Sequence, residues 1–243
     1  MHFHLPKPLH GWREFAGEVG IIVVGVLIAL GAEQVVEDFR WRHDVSQARN
    51  ALREEIEGHS YGATEMAMAE PCVDQQLTGL EKALLAPGPF RPVPLYADLQ
   101  HFTYRAPGRS WPDNVWRSLM SEGVISHFDR DLRVQLARHY SQVAEQGERV
   151  AQADAIGFRM RVLAQPIQPD PATRAALVEE LEQARGIFQL MTIVSNQLLR
   201  DAELMGFPPD KKTIARDLST SGTLTFCRAH HLPLGRPEPQ APR

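Results

Sequence analysis

The stretch EVGIIVVGVLIALGAE, from Glu18 to Glu33, decides how this chain folds. It holds fourteen uncharged, mostly aliphatic residues between two carboxylates. Such a run is shorter than the roughly 20 apolar residues that span a bilayer. Three interpretations are therefore open: a membrane span, a secretion signal and a buried core helix. The residues on either side of the run favour the first.

Two tryptophans flank the run at a spacing typical of a membrane helix. Trp12 and Trp41 lie 29 positions apart, and one continuous helix would separate them by about 44 Å. That length is close to the roughly 40–45 Å between the headgroup regions that Trp prefers. We therefore predict that residues 12–41 form one membrane-crossing helix, with Trp12 and Trp41 as its interfacial anchors.

A cleaved secretion signal is the main alternative. Ala29, Leu30 and Gly31 offer small residues at offsets that suit cleavage. However, Glu14 and Glu18 stand where a signal carries net positive charge, and the sequence runs on into a helical pattern without a breaker. We expect the helix to be retained, with an exported soluble helical protein as the alternative.

The charges around the predicted span favour neither orientation strongly. A count of Lys and Arg slightly favours a cytoplasmic C-terminal domain, since Lys7 and Arg13 lie on the N-terminal side of the apolar run and Arg40, Arg42, Arg49 and Arg53 lie on its far side. Long domains translocate largely regardless of charge, and nearby carboxylates offset those arginines. We expect a single-pass protein of the bacterial inner membrane with its C-terminal domain in the periplasm.

The N-terminal segment HGWREFAGEVGIIVVGVLIALGAEQVVE resembles an uncharacterised family of small bacterial single-pass membrane proteins. Their N termini read roughly R-E-x-x-x-E-[IV]-x-x-[IV]-[IV]-x-G-[IV]-L-I-A-L, and the residues that fit here are Arg13, Glu14, Glu18, Val19, Gly25 and Leu27 to Leu30. The segment WRSLMSEGVISHF is similar to a W-x-x-L-x-x-x-G-x-[IL] pattern that these proteins carry before a long helix. The resemblance implies one span and a helical extramembrane domain. It implies no reaction and no catalytic residue.

Composition predicts an all-helical fold. The 243 residues include 26 Lys and Arg against 30 Asp and Glu, which leaves no basic surface typical of nucleic-acid binding. Helix-forming Ala, Leu, Gln, Glu and Arg dominate outside the apolar run. The predicted fold class is all-α, with an N-terminal transmembrane helix that continues into an antiparallel bundle of long helices.

Capping and breaking residues divide the chain further. We expect Pro71 to stop the first helix, capping boxes at Ser110–Asp113 and Ser126–Asp129, and a helix beginning at Asp170-Pro171. A single helix is predicted from about His127 to Ala164. The predicted organisation is a short N-terminal tail over residues 1–11, the span and its flanks over 12–41, the bundle over 42–232 and a disordered Pro-rich tail over 233–243.

Two features of the sequence suggest specific contacts. Cys72 and Cys227 would meet at one end of an up-down bundle, and an oxidising compartment favours a disulfide over two buried thiols. Within the span, Ala16 with Gly20 and Gly25 with Ala29 form small-xxx-small pairs of the kind through which membrane helices associate. Glu18 is either a functional intramembrane carboxylate or an interfacial residue, and its position favours the second.

No motif of a known catalytic or metal site is present. The soft ligands that would suit copper(I) lack firm spacing, and they are Met66, Met68, His59, Cys72, Cys227, His230 and His231. We expect no metal, no cofactor and no enzymatic activity. The expected function is that of an accessory or scaffold subunit that binds a partner protein, with self-association or periplasmic ligand sensing through a partner as alternatives.

Overall fold

The computed structural model describes residues 11–92 and 103–236. These residues contain six α-helices and no strand, only an isolated bridge between Phe90 and Ile167. The predicted all-α class is therefore confirmed. The chain divides into two units, residues 1–48 and 49–243, and the second contains the helical bundle.

The first helix, α1, runs without interruption over Trp12–Leu85. The prediction that Pro71 stops it is wrong, since Pro71 lies inside the helix. A proline there cannot donate to the carbonyl of Ala67. On the adjacent residue, the carbonyl oxygen of Met68 accepts the N–H of Gly235 from the C-terminal segment at 2.9 Å.

Only glycine fits at position 235. A Cβ atom there would lie 2.6 Å from the carbonyl oxygen of Ala67 and 3.3 Å from the ring of Pro71. The neighbouring Leu234 packs in a cluster that includes Tyr61. The first residues of the predicted Pro-rich tail thus pack on α1, whereas residues 237–243 of that prediction lie outside the described part of the chain.

Five further helices follow in sequence. They are α2 (Asn114–Ser121), α3 (Arg130–Arg159), α4 (Pro171–Leu204), α5 (Lys211–Ser219) and α6 (Gly222–Ala229). Short 3-10 turns over Val124–His127 and Met160–Ala164 flank α3, so the helix predicted from His127 to Ala164 is shorter at both ends. The sequence analysis did not identify α5 or α6.

Side-chain caps begin most of these helices. Asp129 accepts hydrogen bonds from the backbone at the start of α3, and Asp170 does so from Thr173 with Pro171 in the first turn of α4. Asp113, in contrast, makes no side-chain cap bond with any described residue of α2. A carboxylate of α1 takes its place, as described below.

The second half of α1 packs with α3 and α4 into an antiparallel bundle. α3 and α4 run in opposite directions, because Arg159 binds Glu180 while Arg138 binds Asp201. The apolar stripe predicted for α4, from Leu177 to Leu198, is buried. The main core contains Leu77, Leu80 and Leu84 of α1, Ala153 and Ile156 of α3, and Leu181, Ala184, Phe188 and Met191 of α4.

Truncation of one core residue of α4 should destabilise the bundle strongly. Leu181 is fully buried, so Leu181→Ala removes apolar contacts and leaves a cavity that costs about 2–5 kcal/mol. Leu190 lies on the same helix with 51% of its surface exposed, and Leu190→Ala should change stability by less than about 0.5 kcal/mol. Urea unfolding of the full-length protein in detergent, followed by circular dichroism, measures both. Equal losses would show that α4 does not pack in this orientation.

Candidate functional site

The N-terminal part of α1 presents an apolar surface on all sides. An 18-residue window has a mean hydropathy of 2.3, and none of it is buried. Ile21 and Val23 are 77% and 49% exposed, and they lie on nearly opposite sides of the helix because successive residues are about 100° apart. In length and composition this is a helix that can cross a membrane, and it is the one such helix among the described residues.

The small residues of the predicted packing pairs are open. A Cβ atom added at Gly20 or Gly25 would meet no described atom within 4 Å, and Ala16 and Ala29 are exposed. At 100° per residue, Gly20 and Gly25 lie about 140° apart around the helix. The two pairs therefore occupy different sides of α1 and offer two surfaces for close helix contact.

The predicted anchors lie at the two ends of this segment. Trp12 is 79% exposed, and its ring centroid lies 6.0 Å from that of Phe15. Trp41 donates its indole N–H to Glu37 at 3.3 Å, and the guanidinium of Arg40 lies 5.1 Å from its ring centroid. Glu18 is exposed, so its carboxylate is not part of a buried site formed by the described residues.

The two cysteines meet in the bundle. Cys72 and Cys227 have Cα atoms 6.0 Å apart and Sγ atoms at the bonding distance of 2.04 Å. The bridge connects α6 to α1 across 155 positions of sequence. It also removes both thiolates from any copper site, and the described residues contain no group of three His, Cys, Asp or Glu side chains suited to a metal ion.

We expect this disulfide to form in the cell and to stabilise the domain. In the chain-entropy model, a bridge that closes so long a loop contributes roughly 4–5 kcal/mol. Acid-quenched cells, alkylated with a maleimide under denaturing conditions, should yield protein with no modified cysteine. Cys72→Ser and Cys227→Ser should each lower the urea midpoint. Two alkylated cysteines in freshly quenched protein would contradict the bridge.

A polar ladder joins α1 to the segment of residues 105–116. Four side chains of α1 contact this segment in antiparallel order. Gln76 pairs with the backbone of Arg105, Glu65 with the side chain of Arg109, His59 with the carbonyl of Pro112, and Glu55 with the N–H groups of Val115 and Trp116. All four lie on the bundle side of α1, and Gln76, Glu65 and His59 are each 1% exposed.

Glu55 replaces the missing cap of α2. Its carboxylate accepts the N–H of Val115 at 2.9 Å and that of Trp116 at 3.3 Å, and a negative charge at a helix N-terminus is favourable. It also accepts the hydroxyl of Tyr140 at 2.6 Å. The ring of Tyr140 stacks on Trp116 with centroids 4.9 Å apart. Burial and the adjacent carboxylate of Glu55 raise the pKa of Tyr140, so this hydroxyl stays a donor.

Next to this cap lies a buried pair of histidines. His59 Nε2 must donate to the carbonyl of Pro112 at 2.7 Å, so its Nδ1 is an acceptor. That nitrogen lies 3.1 Å from Nε2 of His139, which must then be the donor. The remaining Nδ1 of His139 is buried and has no hydrogen-bond partner among the described residues. This assignment holds for two neutral rings, and burial favours the neutral form of each because it lowers the pKa of both histidines.

The histidine pair should make the domain acid-sensitive. Burial lowers the pKa of His59, and burial together with the facing ring of His59 lowers the pKa of His139 to about 3. Histidine in the unfolded chain has a pKa of about 6.5, so the unfolded state gains protons first as the pH falls. These two groups therefore leave the free energy of unfolding unchanged above about pH 6.5 and lower it progressively as the pH falls from there towards pH 3.

Replacing His139 should reduce this pH dependence. In His139→Gln, the amide can still donate to His59, but one titrating group is gone. The decrease in unfolding free energy between pH 7 and pH 5 should become about 1–2 kcal/mol smaller, measured by urea titration at each pH. His43 is exposed on α1, and His43→Gln should leave the decrease unchanged. The same decrease in both variants would contradict a neutral buried pair.

Glu65 lies at the centre of a second buried polar cluster. Its side chain is 2% exposed and pairs with Arg109 at 2.5 Å, and it also accepts the hydroxyl of Ser221, the cap residue of α6. Arg109 donates to the hydroxyl of Tyr61 as well, with its guanidinium 4.6 Å from the ring centroid. The bond to Glu65 and the charges of its neighbours raise the pKa of Arg109. The positive charge of Arg109 is therefore already paired within the fold.

Beside this cluster lies a cavity of about 520 Å³. The segment of residues 103–109, α3, α4 and the start of α6 form its walls. The lining combines apolar and aromatic side chains with charged ones. Its charged lining residues are Arg105, Arg109, Arg161, Glu65 and Asp154.

The sequence analysis did not identify the ladder or the cavity. Glu55 and His59 are four residues apart, which places them on one face of a helix, but such pairs usually face solvent. Their partners lie about 50 to 60 positions further along the chain, in the segment GRSWPDNVW. The local sequence gives no signal for a pairing at that distance.

Known proteins offer no guide to this site. Comparisons of the chain with models of protein families, with curated proteins and with solved structures find no match. The assignment of a function therefore depends on the geometry described above.

Proposed function

We propose that this protein is a membrane-anchored, non-enzymatic accessory or scaffold subunit of the bacterial inner membrane. The observation that carries the proposal is the apolar part of α1, whose side chains are exposed in every direction. Aliphatic surface of this extent is costly in water, at roughly 25 cal/mol per Å². A bilayer removes that cost, and partner helices can pack against the two small-residue surfaces.

The proposed domain location is the periplasm. The disulfide between Cys72 and Cys227 favours an oxidising compartment, and a bundle held by a bridge across 155 positions would suit one. In this orientation, Trp12 lies at the cytoplasmic surface of the membrane and Trp41 at the periplasmic surface. Glu18 then lies near the cytoplasmic headgroups.

The proposed role is to hold a partner protein at the membrane through α1. Gly20 and Gly25 allow another helix to approach the backbone on either side. A homo-oligomer formed through one of these surfaces is compatible with the same geometry. The cavity in the bundle supports a second candidate function, ligand sensing through such a partner.

Loss of a small residue in the span should release the partner. The tagged full-length protein is purified in a gentle detergent, and co-purifying proteins are identified by mass. We expect a stoichiometric companion, or a homo-oligomer, that is lost in Gly20→Leu or Gly25→Leu because a leucine keeps the helices apart. Val26 lies between the two surfaces around the helix, so Val26→Leu is the matched control and should retain the companion.

Two results would contradict this proposal. One is a monomer without a companion in the wild type, which removes the support for a subunit assembled through α1. The other is an intact mass that lacks the first 31 residues, since cleavage after Gly31 would give an exported soluble protein. The sequence of the uncleaved chain corresponds to a mass of 27.3 kDa.

A further inference from the structure

We infer that the cavity in the bundle binds a small organic monoanion with an apolar body, such as an aryl or aliphatic carboxylate. This inference goes beyond the proposed role of α1 and does not depend on a partner protein. It rests on the charge, the positioning and the shape of the cavity lining.

The charge balance of the lining leaves a cation available. Three arginines face two carboxylates. Glu65 and Arg109 neutralise each other at 2.5 Å, which leaves Arg105 and Arg161 against Asp154. An excess of one positive charge suits a monoanion better than a polyphosphate, whose several charges would be left unpaired.

Arg105 is the cation best placed to bind such a ligand. Its Nε atom is buried and has no hydrogen-bond partner within residues 11–92 and 103–236. A buried donor without an acceptor is costly, and a carboxylate offers two oxygens that match the donors of a guanidinium. Arg161, exposed on the same lining, forms no ion pair with any described residue and adds a second positive charge.

The protein holds Arg105 in position from two sides. Gln76 accepts its backbone N–H at 2.7 Å and donates to its carbonyl at 3.0 Å. Its side chain lies against Gly222, where a Cβ atom would be 2.7 Å from Nη2 of Arg105. The absence of a side chain at position 222 therefore makes room for the guanidinium, and a larger residue must displace it.

The apolar part of the lining suits an apolar body. It includes Val150, Phe158 and Met191, together with Tyr104 and Phe188, whose rings meet edge to face with centroids 5.6 Å apart. The hydroxyl of Tyr104 is bound to the carbonyl of Ala153 at 3.1 Å, so the ring presents its apolar surface. The volume of about 520 Å³ lies within the range of roughly 300–1,000 Å³ typical of small-molecule sites.

Calorimetry with defined probes tests this site. The full-length protein in nanodiscs is titrated with biphenyl-4-carboxylate and with octanoate, which represent aromatic and lipid-derived acids, and with the neutral biphenyl-4-carboxamide. Empty nanodiscs give the background. We expect at least one acid to bind at one site per chain and at least tenfold more tightly than the amide. The acid that binds more tightly identifies the source of the natural ligand.

Two variants separate binding from folding. Arg105→Gln removes the charge, and Gly222→Ala keeps the charge but displaces it; each should weaken binding of the acid about tenfold or more and leave binding of the amide unchanged. Arg130 is exposed at the start of α3 and outside the cavity, so Arg130→Gln should bind as the wild type does. Circular dichroism and an intact disulfide show that each variant is folded. Acid binding that is absent, no tighter than amide binding, or unchanged in Arg105→Gln would overturn the inference.

Discussion

Exposed aliphatic surface and buried polar groups place opposite demands on the same helix. Between Phe15 and Val36, α1 shows large apolar side chains on all sides, and water solvates them only at a substantial cost in free energy. From Leu52 onward, the helix buries apolar residues together with Glu65 and Gln76. The exposed apolar part of this helix favours apolar surroundings, whereas its later part is packed in the protein interior. The location and assembly that we propose follow from this difference.

The interior part of α1 is organised by polar contacts as much as by its leucines. The ladder from Gln76 to Glu55 fixes the 105–116 segment along the helix, and each step satisfies a backbone or guanidinium group that burial would otherwise leave unpaired. The ladder has consequences at both of its ends. At one end it caps α2 and encloses the histidine pair, and at the other it positions Arg105 at the cavity.

The disulfide connects this arrangement to the C-terminal helices. Cys227 in α6 is bonded to Cys72, one turn before Gln76 on α1. Ser221 caps α6 and also donates to Glu65, so α6 contacts α1 through a covalent bond and a hydrogen bond. Gly222 follows directly and leaves the space that Arg105 occupies. The cavity is therefore bounded by elements that the bridge holds together.

The sequence predicted the features that depend on local periodicity. The apolar stripe from Leu177 to Leu198 of α4 and the cap at Asp170 depend on residues three or four positions apart, and both are present. The stop at Pro71 was wrong, because the helix continues through the proline to Leu85; the nearby carbonyl of Met68 accepts the N–H of a residue far along the chain, Gly235. The polar ladder was missed because each of its contacts joins residues far apart in sequence.

The sidedness of the proposed membrane helix is the most direct test of this account. Lys7→Cys adds a thiol before the apolar run in sequence, and Ser126→Cys adds one after it, in the bundle. The native cysteines are bridged and do not react. Spheroplasts are treated with a membrane-impermeant maleimide before and after permeabilisation. The account predicts that Ser126→Cys reacts in intact spheroplasts and that Lys7→Cys reacts only after permeabilisation. The reverse pattern, or equal labelling at both positions in intact spheroplasts, would contradict it.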